Sequence, residues 1–120
     1  MLVDDSRTMR TLQRSVLDEL GHTEIEEACN GQDALSKAGA FGPELVLVDW
    51  DMPTMDGLEF IRTFRRTNRA TPVIMVTTEA DKSRVIEAIQ AGVNNYVVKP
   101  FTAQTLGRRI EETLARCRAA

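Results

Sequence analysis

The sequence is poor in the residues from which several common functional sites are built. Its 120 residues include one histidine, one tryptophan and two cysteines. Cys29 and Cys117 form no C-x-x-C unit, so neither a zinc site nor a disulfide framework is indicated. We expect Cys29 to be a buried strand thiol and Cys117 to lie in the tail. Two isolated thiols are typical of a reducing cytosol, and the single His22 falls in a helix-strand turn, where it is not a ligand candidate.

Long apolar runs and dense clusters of one charge are also missing. The longest apolar runs are about five residues, whereas a membrane-spanning helix needs roughly 20, and no signal-peptide region is present. The net charge is −3 and the 15 basic residues are scattered, which favours neither nucleic acid nor a membrane as a direct partner. We therefore expect a single cytoplasmic domain, a monomer, over residues 1–120, since this length suits one core.

Short apolar runs alternate with helical patterns along the chain. The apolar runs predict strands at residues 2–3, 24–29, 45–48, 72–76 and 96–98. Helical spacing predicts helices at 6–20, 32–40, 57–66 and 81–91, and from 102 or 103 to 116. Strict alternation of five strands and five helices predicts an α/β fold, a doubly wound parallel sheet with helices on both faces.

Chemically active side chains follow four of the five predicted strands. In chain order they are Asp4 and Asp5, Asp49, Thr77 and Lys99. After the second strand, Asn30 and Gly31 indicate only a turn. Ligands of such folds bind outside the carboxyl ends of the strands, so we expect these groups to share one pocket. Three carboxylates facing a lysine, without His or Cys, favour Mg²⁺, and the set suits phosphoryl transfer to an aspartate.

Four segments resemble the signature segments of response-regulator receiver domains, in that family's order and spacing. They are VDDS at 3–6, VDWDMPTMDG at 48–57, MVTTEA at 75–80 and YVVKPF at 96–101. The likeness covers nearly the whole chain and extends to the single-domain chemotaxis regulators of the CheY type. It implies a flavodoxin-like sheet in the order 2-1-3-4-5, which we take from the family.

The resemblance also implies an acceptor and a metal site. Asp49 matches the family's phosphoacceptor aspartate. Asp4 and Asp5 match the acidic pair that positions Mg²⁺, Asp5 directly and Asp4 through water. Asp51 matches the position that offers a backbone carbonyl to the metal. Only Met1–Val3 precede this acidic pair, so we expect a short first strand with few ladder hydrogen bonds.

Five positions match residues that respond to the phosphoryl group or tune its lifetime. Lys99 matches the lysine that pairs with the phosphoryl oxygens, and a cis bond to Pro100 is expected to aim it into the pocket. Thr77 matches the hydroxyl that moves onto the phosphate, and Tyr96 the aromatic that then changes rotamer. Asp51, where CheY-type proteins often carry Asn, and Glu79 match positions that tune the phosphoryl lifetime.

A domain of this kind is a signalling switch rather than an enzyme, because it catalyses only its own phosphorylation and dephosphorylation. The resemblance implies a sensor histidine kinase as phosphodonor and a downstream protein target, with the flagellar motor switch as a candidate. The face formed by the fourth helix, fifth strand and fifth helix is expected to change on phosphorylation. Trp50, beside the acceptor, is expected to be a packed side chain and a useful optical probe.

Two other functions remain open. Asp49-Trp50-Asp51 resembles the D-x-D pair of haloacid-dehalogenase-type phosphatases, although those enzymes carry it on the first strand and are longer. A receiver-like interaction module that works without phosphate is the second alternative, and the full set of polar strand-end residues argues against it. An EF-hand is excluded because Pro53 stands where a ligand is needed. No glycine-rich phosphate loop is present.

Overall fold

Five strands and five helices alternate in the computed structural model, which describes the backbone of residues 1–119 and the side chains of residues 1–117. The strands are β1 (Leu2–Val3), β2 (Glu27–Ala28), β3 (Val46–Val48), β4 (Val73–Thr77) and β5 (Asn95–Val98). The helices are α1 (Arg7–Glu19), α2 (Gly31–Phe41), α3 (Gly57–Phe64), α4 (Lys82–Ala91) and α5 (Ala103–Ala119). The last residue of the predicted domain, Ala120, lies outside the described residues.

The strands form one parallel sheet in the order β2-β1-β3-β4-β5, which confirms the expected fold and strand order. Alternate strand residues point to opposite faces, and each face has its own apolar cluster. One cluster includes Val3, Val48 and Met75. The other includes Leu2 and Leu47. Because both faces of β3 and β4 are covered, every residue of these two strands is buried.

Most predicted bounds agree with the structure to within two residues; the exceptions are α5, which ends three residues later than predicted, and β2, which begins three residues later. We predicted a strand at 24–29, but only Glu27 and Ala28 pair with a neighbour. The reason is the length of β1, whose Leu2 and Val3 offer only two partners. Residues 24–26 lie outside the strand, although the Glu26 carbonyl still accepts the Leu2 N–H at 2.8 Å, and Ile25 packs partly buried against the core.

The turn predicted at residues 30–31 is the start of a helix. Asn30 is the N-cap of α2, and its side-chain oxygen accepts a hydrogen bond from the Asp33 N–H at 2.8 Å. The prediction of a buried Cys29 is wrong, since this thiol is exposed. Cys29 follows the last residue of an edge strand, so no second neighbour covers it, and its N–H donates to Asp33 at 3.1 Å.

The helices of the described residues include none that is long and apolar enough to span a bilayer.

A cavity of about 330 Å³ lies at the start of β1, between the segments that lead into β2 and β3. Its apolar lining includes Leu17, Ile25 and Phe41. Met1 is buried beside it, and the Met1 amine donates to the Leu45 carbonyl at 2.7 Å. Burial lowers the pKa of this amine to about 5, against an opposing effect of the nearby Glu26 carboxylate.

This buried amine predicts a pH dependence for a chain that begins at Met1. The amine has a pKa of 8.0 when unfolded and about 5 when folded, so the unfolded state binds more protons between these values. Stability should therefore rise with pH from 5 to 8, by up to about 4 kcal/mol from this group. Urea unfolding at several pH values measures the effect. The chain acetylated at Met1 is the control, and an identical pH dependence in both forms would refute the prediction.

Candidate functional site

Three aspartates meet at the carboxyl ends of the central strands. Asp4 follows β1 and Asp49 follows β3, and these strands are paired with Val3 opposite Val48. One carboxylate oxygen from each of Asp4, Asp5 and Asp49 lies within 4.8 Å of the others. Asp4 is only 1% exposed, whereas Asp5 is open to solvent. The sequence prediction that these groups share one pocket is therefore matched by their positions.

Lys99 lies between two of these carboxylates. Its Nζ donates to Asp4 Oδ2 at 2.9 Å and to Asp49 Oδ2 at 3.0 Å. Burial alone would lower the pKa of Lys99, but the hydrogen bonds to both carboxylates outweigh it and the pKa is raised. The Lys99–Pro100 peptide bond is cis, as expected. The Lys99 N–H donates to the Thr77 carbonyl at 2.8 Å, which ties the end of β5 to the end of β4.

The three carboxylates are not fully neutralised by the single lysine. Burial raises the pKa of Asp4, and the opposing effects of the Ser6 N–H and of Lys99 do not cancel it. Asp49 Oδ1 accepts the Trp50 N–H at 2.7 Å, which fixes the orientation of the Asp49 carboxylate. A cluster of oxygen donors with excess negative charge fits a small divalent cation such as Mg²⁺ better than a softer metal.

The loop after Asp49 is held in place by the helices that follow it. The Gly57 N–H donates to the Trp50 carbonyl at 2.8 Å, and Asp56 caps α3 by accepting the Glu59 N–H. A Cβ at Gly57 would lie 1.9 Å from the Asp49 carbonyl oxygen, so only glycine fits there. The sequence indicated a turn and helix entry at 56–57, and the structure adds this close approach to the acceptor's backbone.

Trp50 is buried beside Asp49, in agreement with the expectation of a packed side chain. The Arg84 guanidinium, from the first turn of α4, lies 4.9 Å from the centroid of the Trp50 ring. This cation–π contact connects α4 to the residue next to Asp49. Sequence reasoning missed Arg84, because an arginine 34 positions away from its aromatic partner carries no local signal.

The predicted switch residues Thr77 and Tyr96 both contact the backbone of Glu79. Thr77 is fully buried at the end of β4, and its hydroxyl oxygen accepts the Glu79 N–H at 3.4 Å. Tyr96 is half-buried on β5, and its hydroxyl donates to the Glu79 carbonyl. Burial, together with the carboxylates of Glu79 and Asp81, raises the pKa of Tyr96 to about 12. The phenol is therefore a hydrogen-bond donor at neutral pH.

Asp51 and Glu79 are the two positions predicted to tune the phosphoryl lifetime. The neighbouring Asp51 carboxylate raises the pKa of Glu79, because it can accept a hydrogen bond from the protonated form of Glu79 and repels the ionised form. The Asp51 side chain is exposed, so this acidic pair lies at the solvent-facing rim of the pocket. The backbone-carbonyl role of Asp51 stays a prediction.

Comparison with known proteins agrees with this geometry. The family of the response regulator receiver domain matches residues 1–111 of the chain. The chain is 45% identical over 117 residues to chemotaxis protein CheY1 of Helicobacter pylori, covering 95% of this chain and 94% of the relative. It is 44% identical over 118 residues to CheY of Pseudomonas aeruginosa, with coverage of 97% and 95%. The crystallised chemotaxis protein CheY4 of Vibrio cholerae superposes with a TM-score of 0.87 at 32% identity, over 93% and 94% of the two chains. The chain therefore belongs to the response regulator receiver domain family, and within it to the CheY-type chemotaxis regulators.

Proposed function

We propose that Asp49 accepts a phosphoryl group from a sensor histidine kinase in a Mg²⁺-dependent reaction. The observation that carries this proposal is the placement of Lys99, whose Nζ bridges Asp4 and Asp49 beside Asp5. A carboxylate nucleophile, a group of oxygen ligands and a fixed ammonium are the components that phosphoryl transfer requires. CheY-like receiver domains are signalling switches, and this chemistry would set the state of the switch.

In the proposed reaction an Asp49 carboxylate oxygen attacks phosphorus, and the bond from phosphorus to the donor's imidazole nitrogen breaks. The departing imidazole keeps the electron pair and takes up a proton. Asp4, Asp5, Asp49 and the Asp51 carbonyl would hold Mg²⁺, which would supply positive charge for the phosphoryl oxygens when bound. Lys99, released from its bond to Asp49, would pair with one of these oxygens and hold the product in place.

In the proposed switch, phosphorylation of Asp49 changes a partly apolar face on α4 and β5. The new phosphoryl group adds roughly −1.5 to −2 charge units and strong acceptor oxygens, which would draw the Thr77 hydroxyl away from Glu79. Tyr96 would then give up its bond to the Glu79 carbonyl and move toward the vacated space. The nearby α4 and β5 expose large apolar side chains, which supports a protein-docking face here: Ile86 is 44% exposed, Ile89 58% and Val98 41%.

Asp51→Asn is expected to change the phosphoryl lifetime at least severalfold. The substitution removes a negative charge from the rim and ends the carboxylate pairing with Glu79, so both the metal site and the approach of water to the phosphoryl group are altered. The measurement is the decay of the phosphorylated chain after removal of the donor. Glu44→Gln, an exposed carboxyl remote from the pocket, is the control. Equal lifetimes for Asp51→Asn and wild type would eliminate this role.

The proposal also includes the binding partners of the chain and its location in the cell. A histidine kinase would be the donor, and a downstream protein, with the flagellar motor switch as a candidate, would bind the face on α4, β5 and α5. We propose one monomeric receiver domain over residues 1–120, acting in the cytoplasm. The phosphatase alternative has less support, because the D-x-D pair follows β3, not the first strand.

Trp50 fluorescence tests the proposal without a kinase. Beryllofluoride with Mg²⁺ mimics a phosphoryl group on aspartate, and Trp50 is buried next to the acceptor. We expect a saturable fluorescence change that requires both components and that disappears in Asp49→Asn. A folded chain whose fluorescence does not change when beryllofluoride and Mg²⁺ are added together would favour the phosphate-independent interaction module.

A further inference from the structure

Four arginines surround a surface depression at the pole of the molecule opposite the aspartate pocket. The depression has a volume of about 400 Å³, and its walls include Arg62, Arg65, Arg66, Arg69, Gly92 and Asn94. It lies at the amino end of β4, where the Asn94 N–H donates to the Val73 carbonyl at 2.8 Å. The aspartate pocket lies at the carboxyl ends of the same sheet, roughly 15 Å away along a five-residue strand. We call this depression the arginine cleft.

Arg65 forms a rigid wall of the arginine cleft. Its guanidinium donates to the Gly92 carbonyl at 2.8 and 3.1 Å, to Asn94 Oδ1 at 3.1 Å and to the Asn68 carbonyl at 3.2 Å. Gly92 has a φ of +114°, and a Cβ there would meet Arg65 at 2.9 Å. The position of Arg65 is therefore fixed by the fold. Its hydrogen bonds give this arginine a structural role.

The other three arginines of the cleft make no such set of hydrogen bonds within the part of the chain that the structure describes. Arg62 is paired only with Glu87, at 3.5 Å, and both side chains are about half exposed, so that pair contributes little. Arg66 and Arg69 are exposed, and among the described residues no carboxylate lies within 4.0 Å of either one. Among residues 1–117, no acidic side chain lines the cleft. The positive charge at this surface is therefore available to a partner.

We propose that the arginine cleft is a docking site for an acidic segment of a protein partner. Guanidinium groups bind carboxylates in bidentate pairs, and three exposed guanidinium groups beside the fixed Arg65 suit several carboxylates in succession. A nucleic acid fits less well. The four arginines contribute +4 to a chain whose net charge is −3, so the rest of the chain carries a net charge of −7 and would repel a long polyanion that extends beyond the cleft. This site is separate from the aspartate pocket and from the exposed apolar residues of α4 and β5.

Fluorescence anisotropy with a labelled hexaglutamate peptide tests the proposal on the full chain at low salt. Arg66→Gln with Arg69→Gln is expected to weaken binding about tenfold. Arg7→Gln with Arg108→Gln changes the net charge equally at exposed positions outside the cleft, and should weaken binding less than about threefold. Both double variants keep Arg65, so their folds should be intact, which circular dichroism checks.

Three results would overturn the proposal. Equal weakening in the two double variants would mean that only net charge matters. Unmeasurable binding to the wild-type chain would mean that the cleft does not hold carboxylates. Tighter binding of an oligothymidylate of equal charge, lost in the Arg66 and Arg69 variant, would assign the cleft to nucleic acid. Phosphorylation plays no part in this assay, so failure of the Asp49 chemistry would leave its outcome unchanged.

Discussion

Replacing Lys99 with methionine is expected to lower the free energy of unfolding by about 3 kcal/mol in the absence of divalent cations. The lysine is 13% exposed and donates to two carboxylates, those of Asp4 and Asp49. Without it, buried negative charges face one another with no compensating cation. Mg²⁺ should restore part of the loss because it binds the folded chain and reduces the same repulsion. Urea unfolding with and without Mg²⁺ measures both effects.

Two variants control the Lys99 result. Lys82→Met removes an exposed lysine from the start of α4 and should change stability by less than about 0.5 kcal/mol. Lys99→Met combined with Asp4→Asn removes the cation and one carboxylate together, so it should be more stable than Lys99→Met alone. A Lys99→Met chain as stable as wild type would show that the pairing of Lys99 with Asp4 and Asp49 does not offset the repulsion between these carboxylates.

Gly57→Ala is expected to cost about 3 kcal/mol or more and to slow phosphorylation of Asp49 more than tenfold. The added Cβ would lie 1.9 Å from the Asp49 carbonyl oxygen, and the nearest atoms are backbone rather than flexible side chain. The loop must therefore move, and the acceptor moves with it. Thermal unfolding gives the stability, and the rate of adduct formation with acetyl phosphate gives the effect on the acceptor.

Gly39→Ala is the matched control for this substitution. Gly39 lies inside α2, and a Cβ there would meet no atom within 4 Å. Alanine should stabilise that helix by about 0.5–1 kcal/mol and leave phosphorylation unchanged. If Gly57→Ala changed stability and phosphorylation no more than Gly39→Ala does, the close approach of α3 to Asp49 would not matter for either property.

The local sequence pattern was sufficient to predict the order of helices and strands and the polar residues at the strand ends. Each apolar run is followed directly by its polar residue, and parallel strands place such residues at one edge. The strand order came from the family resemblance, because alternation alone permits several orders. The length of β2 was beyond local reasoning: its residues favour a strand, but pairing requires a neighbour, and β1 offers only Leu2 and Val3.

The details that were missed depend on contacts between distant parts of the chain. Cys29 ends a predicted strand in the sequence, yet its place at the end of an edge strand leaves it exposed. Arg84 reaches Trp50 only because α4 packs beside the acceptor loop. Gly57 reads as an ordinary turn residue, and its contact with the Asp49 carbonyl becomes visible only in three dimensions. Sequence reasoning located the pocket, and the structure supplied the residues that hold it in shape.

Intact-mass spectrometry after incubation with acetyl phosphate tests the central claim most directly. The wild-type chain and Asp49→Asn are compared, each with Mg²⁺ and with a chelator. A single phosphoryl adduct that requires Mg²⁺ and is absent from Asp49→Asn is the predicted result. An adduct of equal yield in Asp49→Asn, or one that forms equally well without Mg²⁺, would contradict the assignment of Asp49 as the acceptor in a metal-dependent site.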